Sequence, residues 1–448
     1  MEEYRIIFYT KSLCPVCLKT IDADIFTDGT ESFMDKKCPD HGSFRTVIWK
    51  GSIPMEKWIV KKERVHIKHP VTEVHEGCPF DCGLCPEHRQ HTCTALIEVT
   101  QNCNLHCKIC FADSGPCMSE DPSLDQIKVQ YESVKNASGI CNIQLSGGEP
   151  TLRDDLPQIV RIGVETGFNF IQVNTNGIRI GEDEDYVKEL KNVGVSSIFL
   201  QFDGTRDSIY KKLRGRELLE VKVKAIENCK KYGIGVVLVP TLVPGINVDN
   251  IGEIIDFALK FIPTVRGVHF QPVSYFGRVP FAPKNEDRIT LPEVMDEIER
   301  QTGGKVKAQS LKPPGCENSL CSFHGSYIYR RNGRLTSINS SSACCCKSEK
   351  AEEGSVKAKE YVSRNWASVK TDNSMNNCNT SDWDKILNSI RTNIFSISAM
   401  AFQDVWNLNI ERVKDCCIHE VSPDGRLIPF CLYNLSDEKG RYLYRNKK

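Results

Sequence analysis

Over residues 95–277 short apolar runs alternate with longer segments in which apolar residues recur every three or four positions. The short runs are ALIEV (95–99), NIQL (142–145), FIQVN (170–174), SIFLQF (197–202), VVLVPT (236–241) and GVHFQ (267–271). Their length and β-branched content predict buried strands, while DDLPQIVRIGVETG and NIGEIIDFALKF carry helical spacing, with Pro and Gly at their edges. Repeated strand–helix units with right-handed crossovers build a parallel sheet. The fold class expected is therefore α/β, a partial (β/α)6 barrel with its chemistry at the C-terminal ends of the strands. The polar motifs obey that rule: CNLHCKIC, SGGEP, NTNG, DGTRD and PVSYFGR each follow a strand. Four regions result: 1–60, a small N-terminal metal domain; 61–94, a cysteine-bearing segment; 95–288, the barrel; and 289–448, a C-terminal cysteine-bearing extension. Within the last, residues 338–360 are rich in Ser, Cys, Lys and Glu and read as a flexible insertion. Order returns in a helix-like run ending at Cys416 and Cys417, followed by a hairpin-like turn at Pro423-Asp424-Gly425 that delivers Cys431.

Charge changes this picture little. Lys plus Arg number 58 and Asp plus Glu 58, so nothing predicts a nucleic-acid partner. No run approaches 18 apolar residues, and MEEYRIIFYTKS lacks the pattern of a secretory signal, so a cytoplasmic setting is expected. Cysteine changes it a great deal. In a reducing compartment 22 cysteines, many spaced by two or three residues, argue for metal ligation over disulfides.

Cys103, Cys107 and Cys110 form a C-x3-C-x2-C set directly after the first barrel strand. Thiolate is the soft ligand of iron–sulfur clusters, and three thiolates leave one iron of a four-iron cluster open to a cofactor or substrate. Cys78, Cys82 and Cys85 repeat that spacing, but they precede the strand and have Cys93 close behind. They read as a closed auxiliary cluster or a second zinc site. Cys117 is a poor cap for the first set, since a fourth ligand would close it. At the N-terminus Cys14, Cys17, Cys38 and His41 pair as knuckles around one tetrahedral ion, zinc or mononuclear iron. Cys316, Cys321, Cys417 and Cys431 read as a further closed cluster; Cys344, Cys345 and Cys346 as surface thiols; Cys141, Cys229 and Cys378 as unligated. Gly147 and Gly148 are expected to leave backbone N–H groups uncovered for a ligand, with Glu149 facing an ammonium and Pro150 closing the turn. Asn174, Thr175 and Asn176 are placed to hydrogen-bond a cofactor; Asp203 and Arg214 are weaker candidates, equally explained as solvated loop charges.

The three-cysteine loop with GGEP after the next strand resembles the radical S-adenosylmethionine (SAM) superfamily. CPFDCGLCPEHRQHTC, ALIEVTQNCNLHCKICFADSG, LSGGEPTLRDDL, FQPVSYFGR and CCIHEVSPDGRLIPFCLYN together resemble, more narrowly, the archaeal tetraether lipid synthase family and its bacterial relatives. Members of that group are described both as pterin methyltransferases and as enzymes that join lipid chains. The resemblance implies SAM, a [4Fe–4S] cluster on Cys103, Cys107 and Cys110, one or two auxiliary [4Fe–4S] clusters, and a rubredoxin-like iron or zinc site. It also implies hydrogen abstraction from an unactivated C–H bond, with coupling of lipid acyl chains as the specific expectation. The alternative is methylation or other modification of a pterin or peptide. A non-catalytic electron carrier or redox sensor is a third reading, which leaves the missing fourth cysteine unexplained. Implied partners are a small-molecule or lipid substrate and a reductant such as flavodoxin or ferredoxin, with room for peripheral membrane contact.

Overall fold

The computed structural model describes residues 4–65, 67, 70–330, 332–338, 351–368 and 390–445. Strands β1 (Arg5–Leu13), β2 (Thr20–Thr27), β3 (Glu31–Cys38) and β4 (Gly42–Lys50) make an antiparallel meander. Alternation buries one face, Ile21, Ala23 and Ile25 on β2 and Met34 on β3, while the turns at one end carry the four knuckle residues.

The second sheet is built on β5 (Thr94–Thr100), β6 (Asn142–Gly147), β7 (Ile171–Thr175), β8 (Ser197–Gln201), β9 (Gly235–Val239) and β11 (Val265–Pro272), all parallel neighbours in that order. The short β10 (Thr241–Leu242) pairs with β11. These are the six runs expected from the sequence, each within two or three residues of its expected ends. The helices between them bury their apolar stripe against the sheet, as in Leu156–Thr166, where Leu156, Ile159 and Val160 are fully buried.

The C-terminal region shares this sheet. β14 (Ile394–Met400) runs parallel to β11, with β12 (Ser322–Tyr329) and β13 (Leu335–Ser337) antiparallel beyond it. At the opposite edge β15 (Ile418–Val421) runs parallel to β5 and β16 (Leu427–Pro429) closes a hairpin. Both edges of the parallel core, whose backbone groups would otherwise lack partners, are thereby covered.

The stretch expected to be a flexible insertion is corrected over its second half. Residues Ala351–Trp366 form a helix that crosses beneath the N-terminal ends of the barrel strands. Arg266 at the start of β11 donates to Asn365 O at 3.2 Å, and Lys359 donates to Ile140 O, just before β6, at 3.1 Å. The polar composition that suggested disorder belongs to a helix with one wet face; Ser355, Asn365 and Trp366 are buried on the other. Residues 339–350, with Cys344, Cys345 and Cys346, and Cys378 lie outside the described residues. Among the described residues no helix is long and apolar enough to cross a membrane.

Candidate active site and metal centres

The Cys103–Cys110 loop leaves the C-terminal end of β5 and is clamped from two sides. Arg278, in the PVSYFGR motif after β11, exchanges backbone bonds with Cys110 at 2.9 and 3.0 Å. Its guanidinium donates to Cys107 O (2.9 Å) and Ser114 O (2.8 Å) and pairs with Asp113 (3.1 Å). Gly277 makes that approach feasible: at φ +67° a Cβ there would lie 2.4 Å from the carbonyl oxygens of both Cys110 and Phe111. Arg278 was not among the site residues expected from sequence, although its motif follows a strand as the others do.

On the other side the GGEP turn is stapled to the entry of the loop. A Cβ on Gly147 would lie 2.1 Å from Thr100 O, and one on Gly148 2.1 Å from Asn102 O. Gly148 N donates to Thr100 O at 2.7 Å and Glu149 N to Asn102 O at 2.8 Å. The expectation of uncovered N–H groups is therefore not met at Gly148 and Glu149. The glycines serve close contact between two backbone segments of the chain itself.

Glu149, 1% exposed, accepts from Thr151 N (3.1 Å), Thr151 Oγ1 (2.6 Å), Thr175 Oγ1 (2.6 Å) and Asn176 N (2.6 Å). Its carboxylate ties GGEP to NTNG, with three bonds on Oε1 and one on Oε2. Asn176 in turn donates to Asn104 Oδ1 of the cysteine loop at 2.7 Å. Asp203 and Arg214 are not solvated loop charges. They form a buried bidentate pair, both bonds 2.7 Å, and Asp203 also accepts from Thr241 N at 3.2 Å. Lys222, fully buried beside them, donates to Asn176 O; burial lowers its pKa to about 8, the nearby Asp203 charge opposing the shift. Sequence reasoning missed Lys222, whose helix reads as an ordinary amphipathic one.

All three thiols of the loop line one cavity with Gly147, Gly148, Glu149, Asn174, Thr175 and Asn176. Burial pushes the Cys103 thiol up to about 12, and the charges of Glu149, Cys107 and Cys110 add to the rise after a backbone bond from Leu105 N offsets part of it. Three soft donors lining one cavity suit an iron–sulfur cluster, which removes the protons outright. Cys117 is exposed and away from the cavity, in keeping with a set of three.

The ligand atoms of Cys14, Cys17, Cys38 and His41 lie within 4.8 Å of one another, with Cys38 Sγ 3.4 Å from His41 Nδ1. Tetrahedral ligands on bonds near 2.3 Å stand about 3.8 Å apart, so this group suits a single ion. The structure regroups the other cysteines. Cys93 is not with Cys78, Cys82 and Cys85; it joins Cys316 and Cys417, their sulfurs within 4.8 Å of one another and those of Cys93 and Cys316 2.8 Å apart. The cause is the β5–β15 pairing, which sets Ile418 opposite Thr94 and lets Cys93 N donate to Cys417 O at 2.8 Å. Cys82 instead neighbours Cys78, with Tyr444 donating to Pro79 O at 2.6 Å and accepting from Cys82 N at 2.9 Å. Cys321 and Cys431 part from Cys316 and Cys417 and lie near Cys416, which sequence reasoning left unassigned. Arg412 donates to Cys321 Sγ from two nitrogens at 3.4 Å, and Gln403 N donates to Cys431 Sγ at 3.2 Å. The signal was the Cys416-Cys417 pair: adjacent side chains on extended backbone diverge, so one dipeptide serves two groups. Cys141 and Cys229 are both buried.

The cavity, about 1280 Å³, runs from the Cys103–Cys110 loop through the barrel interior to Cys93, Cys316 and Cys417, with the helix Ala351–Trp366 lining its floor. The family model of the radical SAM superfamily matches residues 97–258, and that of the HMPTM N-terminal zinc ribbon domain matches residues 6–50. A 7,8-dihydro-6-hydroxymethylpterin dimethyltransferase from Methanocaldococcus jannaschii is 36% identical, over 95% of this chain and 93% of that protein. The chain belongs to the same family as that protein, within the radical SAM superfamily. A probable GTP 3′,8-cyclase from Archaeoglobus fulgidus is 31% identical over 37% of this chain and 54% of its own length. The structure of Streptococcus suis SuiB bound to S-adenosylmethionine is similar at TM-score 0.38 and 14% identity, covering 48% of this chain and 47% of that one. This radical SAM protein is thus an iron–sulfur enzyme of SAM with a zinc-ribbon N-terminus, and its cysteine groups suit further metal sites.

Proposed function

We propose that this radical SAM enzyme modifies a pterin-like heterocycle, as a methyltransferase. The observation that carries the reading is likeness to a pterin dimethyltransferase along nearly the whole chain, 95% of its residues. The cavity agrees with it. Gln144, Asn174, Gln201 and Gln271 line its middle, neutral groups that each offer a donor and an acceptor to a polar ring.

In this reading Cys103, Cys107 and Cys110 would hold the cluster, and Gly147 to Pro150 with Asn174 to Asn176 would frame SAM. When bound, SAM and the cluster supply one-electron chemistry at an unactivated C–H bond. The chain's own part is orientation and exclusion of water. Arg278 fixes the cysteine loop, Glu149 locks two of the framing turns together, and the Asp203–Arg214 pair sets the wall beside Cys107. A cytoplasmic reductant such as flavodoxin or ferredoxin would deliver electrons.

One observation favours a second reading. Phe276, Phe402 and Phe430 line one side of the cavity, an apolar surface of the kind that coupling of lipid acyl chains would require. Anaerobic reconstitution with reductant and methyl-labelled SAM separates the two. Label in a dihydropterin product, lost in the Cys103→Ala, Cys107→Ala, Cys110→Ala variant, is the expected result. An unlabelled product with the mass of two joined lipids would overturn methyltransfer and install chain coupling.

A further inference from the structure

Between the two cysteine-bearing ends of the cavity the barrel strands present an uncharged wall. Side chains two apart on a strand share a face. The inward ones are Gln144 on β6, Phe199 and Gln201 on β8, and His269 and Gln271 on β11, all of which line the cavity. From the floor helix comes Trp366. Its ring centroid lies 5.5 Å from that of Phe199 and 5.7 Å from that of His269, and Phe199 and His269 are themselves 5.5 Å apart. His269 Nδ1 meets Ser398 Oγ at 2.9 Å, and burial holds its pKa down to about 4, so the ring is neutral at physiological pH. The three rings make one aromatic cluster without a charge.

The amides next to that cluster are underused. Gln201 Oε1 has only a long contact, 3.5 Å, from Lys222 Nζ. The Gln271 side chain has no hydrogen bond to the protein among the described residues, although it is half-buried. An acyl chain lying there would strip water from these amides without replacing it, at the cost of an unpaired buried polar group. A ring bearing N–H and C=O groups on its edge would satisfy them. The cation that touches Gln201, Lys222, already donates to Asn176 O.

Resting on the pterin-like reading above, we propose that this chamber is the substrate subsite. It seats a planar, uncharged heterocycle with an amide-like edge, its face against the Phe199–His269–Trp366 cluster and its edge bonded to Gln201 and Gln271. The floor helix thus helps set substrate identity as well as closing the barrel.

The test is equilibrium binding of 6-hydroxymethylpterin, read by its fluorescence, to the anaerobically reconstituted full-length enzyme and to Trp366→Ala, Trp366→Phe and Gln201→Leu. Loss of stacking or of one edge bond should raise Kd about tenfold in Trp366→Ala and Gln201→Leu, while Trp366→Phe stays within about threefold and SAM binding is unchanged. Pterin binding that none of the variants alters would overturn the subsite and leave the methyltransfer reading standing. A wild-type enzyme that binds neither this pterin nor lumazine would overturn both.

Discussion

Glu149 and His269 are both buried, and the chain partners them differently. Glu149 accepts bonds from Thr151, Thr175 and Asn176. His269 has a hydroxyl and two aromatic rings for company, and burial keeps it neutral with a pKa of about 4. Above an unfolded-state pKa near 6.5 the imidazole is neutral in both states and contributes nothing to pH dependence. As pH falls below that value the unfolded chain gains a proton that the folded chain refuses, so stability drops until about pH 4, by about 1.4 kcal/mol per unit at most. His269→Gln should therefore lose about 1 kcal/mol less stability than wild type between pH 7.5 and 5.5 in paired denaturant titrations. Identical losses would show that His269 takes up its proton in the folded state. At this scale the sequence was a fair guide to which residues meet and a poor guide to what each does: GGEP and NTNG do converge, yet Gly148 and Glu149 spend their N–H groups on the cysteine loop. Residue type shows what a group can bond, while the neighbour that occupies it depends on the fold.

The helix Ala351–Trp366 is the element that pattern reading did not find. Its solvent face is polar and its contacts are with strand ends distant in sequence, so no apolar periodicity announces it. The parallel strands, in contrast, are short runs rich in apolar residues and bounded by Gly, Pro and Asn, a local pattern that survives without tertiary information. Gly235, the first residue of β9, is where floor and barrel touch: a Cβ there would lie 2.5 Å from Trp366 O and 2.8 Å from Ser368 N. Gly235→Ala should push the end of the floor helix away from the sheet, at a cost of about 1–3 kcal/mol. The change should appear as a shift in tryptophan emission and faster tryptic cleavage after Lys357 or Lys359, with the zinc ribbon unaffected. Wild-type emission and cleavage in the variant would mean that the floor does not rest on this contact.

At the scale of the molecule the cysteines are sorted by strand pairing. Cys93, Cys316 and Cys417 converge across 223 and 101 intervening steps of chain because β15 lies beside β5. Serine replacement of any one of the three should cost the same bound metal, and combining Cys93→Ser with Cys316→Ser should cost no more. Cys93→Ser with Cys78→Ser should instead cost two separate metal centres. Iron analysis and low-temperature EPR of the anaerobic protein would read this directly, and additive losses for Cys93 with Cys316 would sink the grouping. Taken by itself, the sequence determined the (β/α)6 order, the loops that follow each strand and the N-terminal knuckles, because each depends on residues close to one another along the chain. Only the tertiary structure decided which distant cysteines share a site, that Asp203 and Arg214 pair in the interior, and that a polar-looking segment closes the barrel floor. Those outcomes come from long-range strand pairing and burial, and neither leaves a mark on the local spacing of residues.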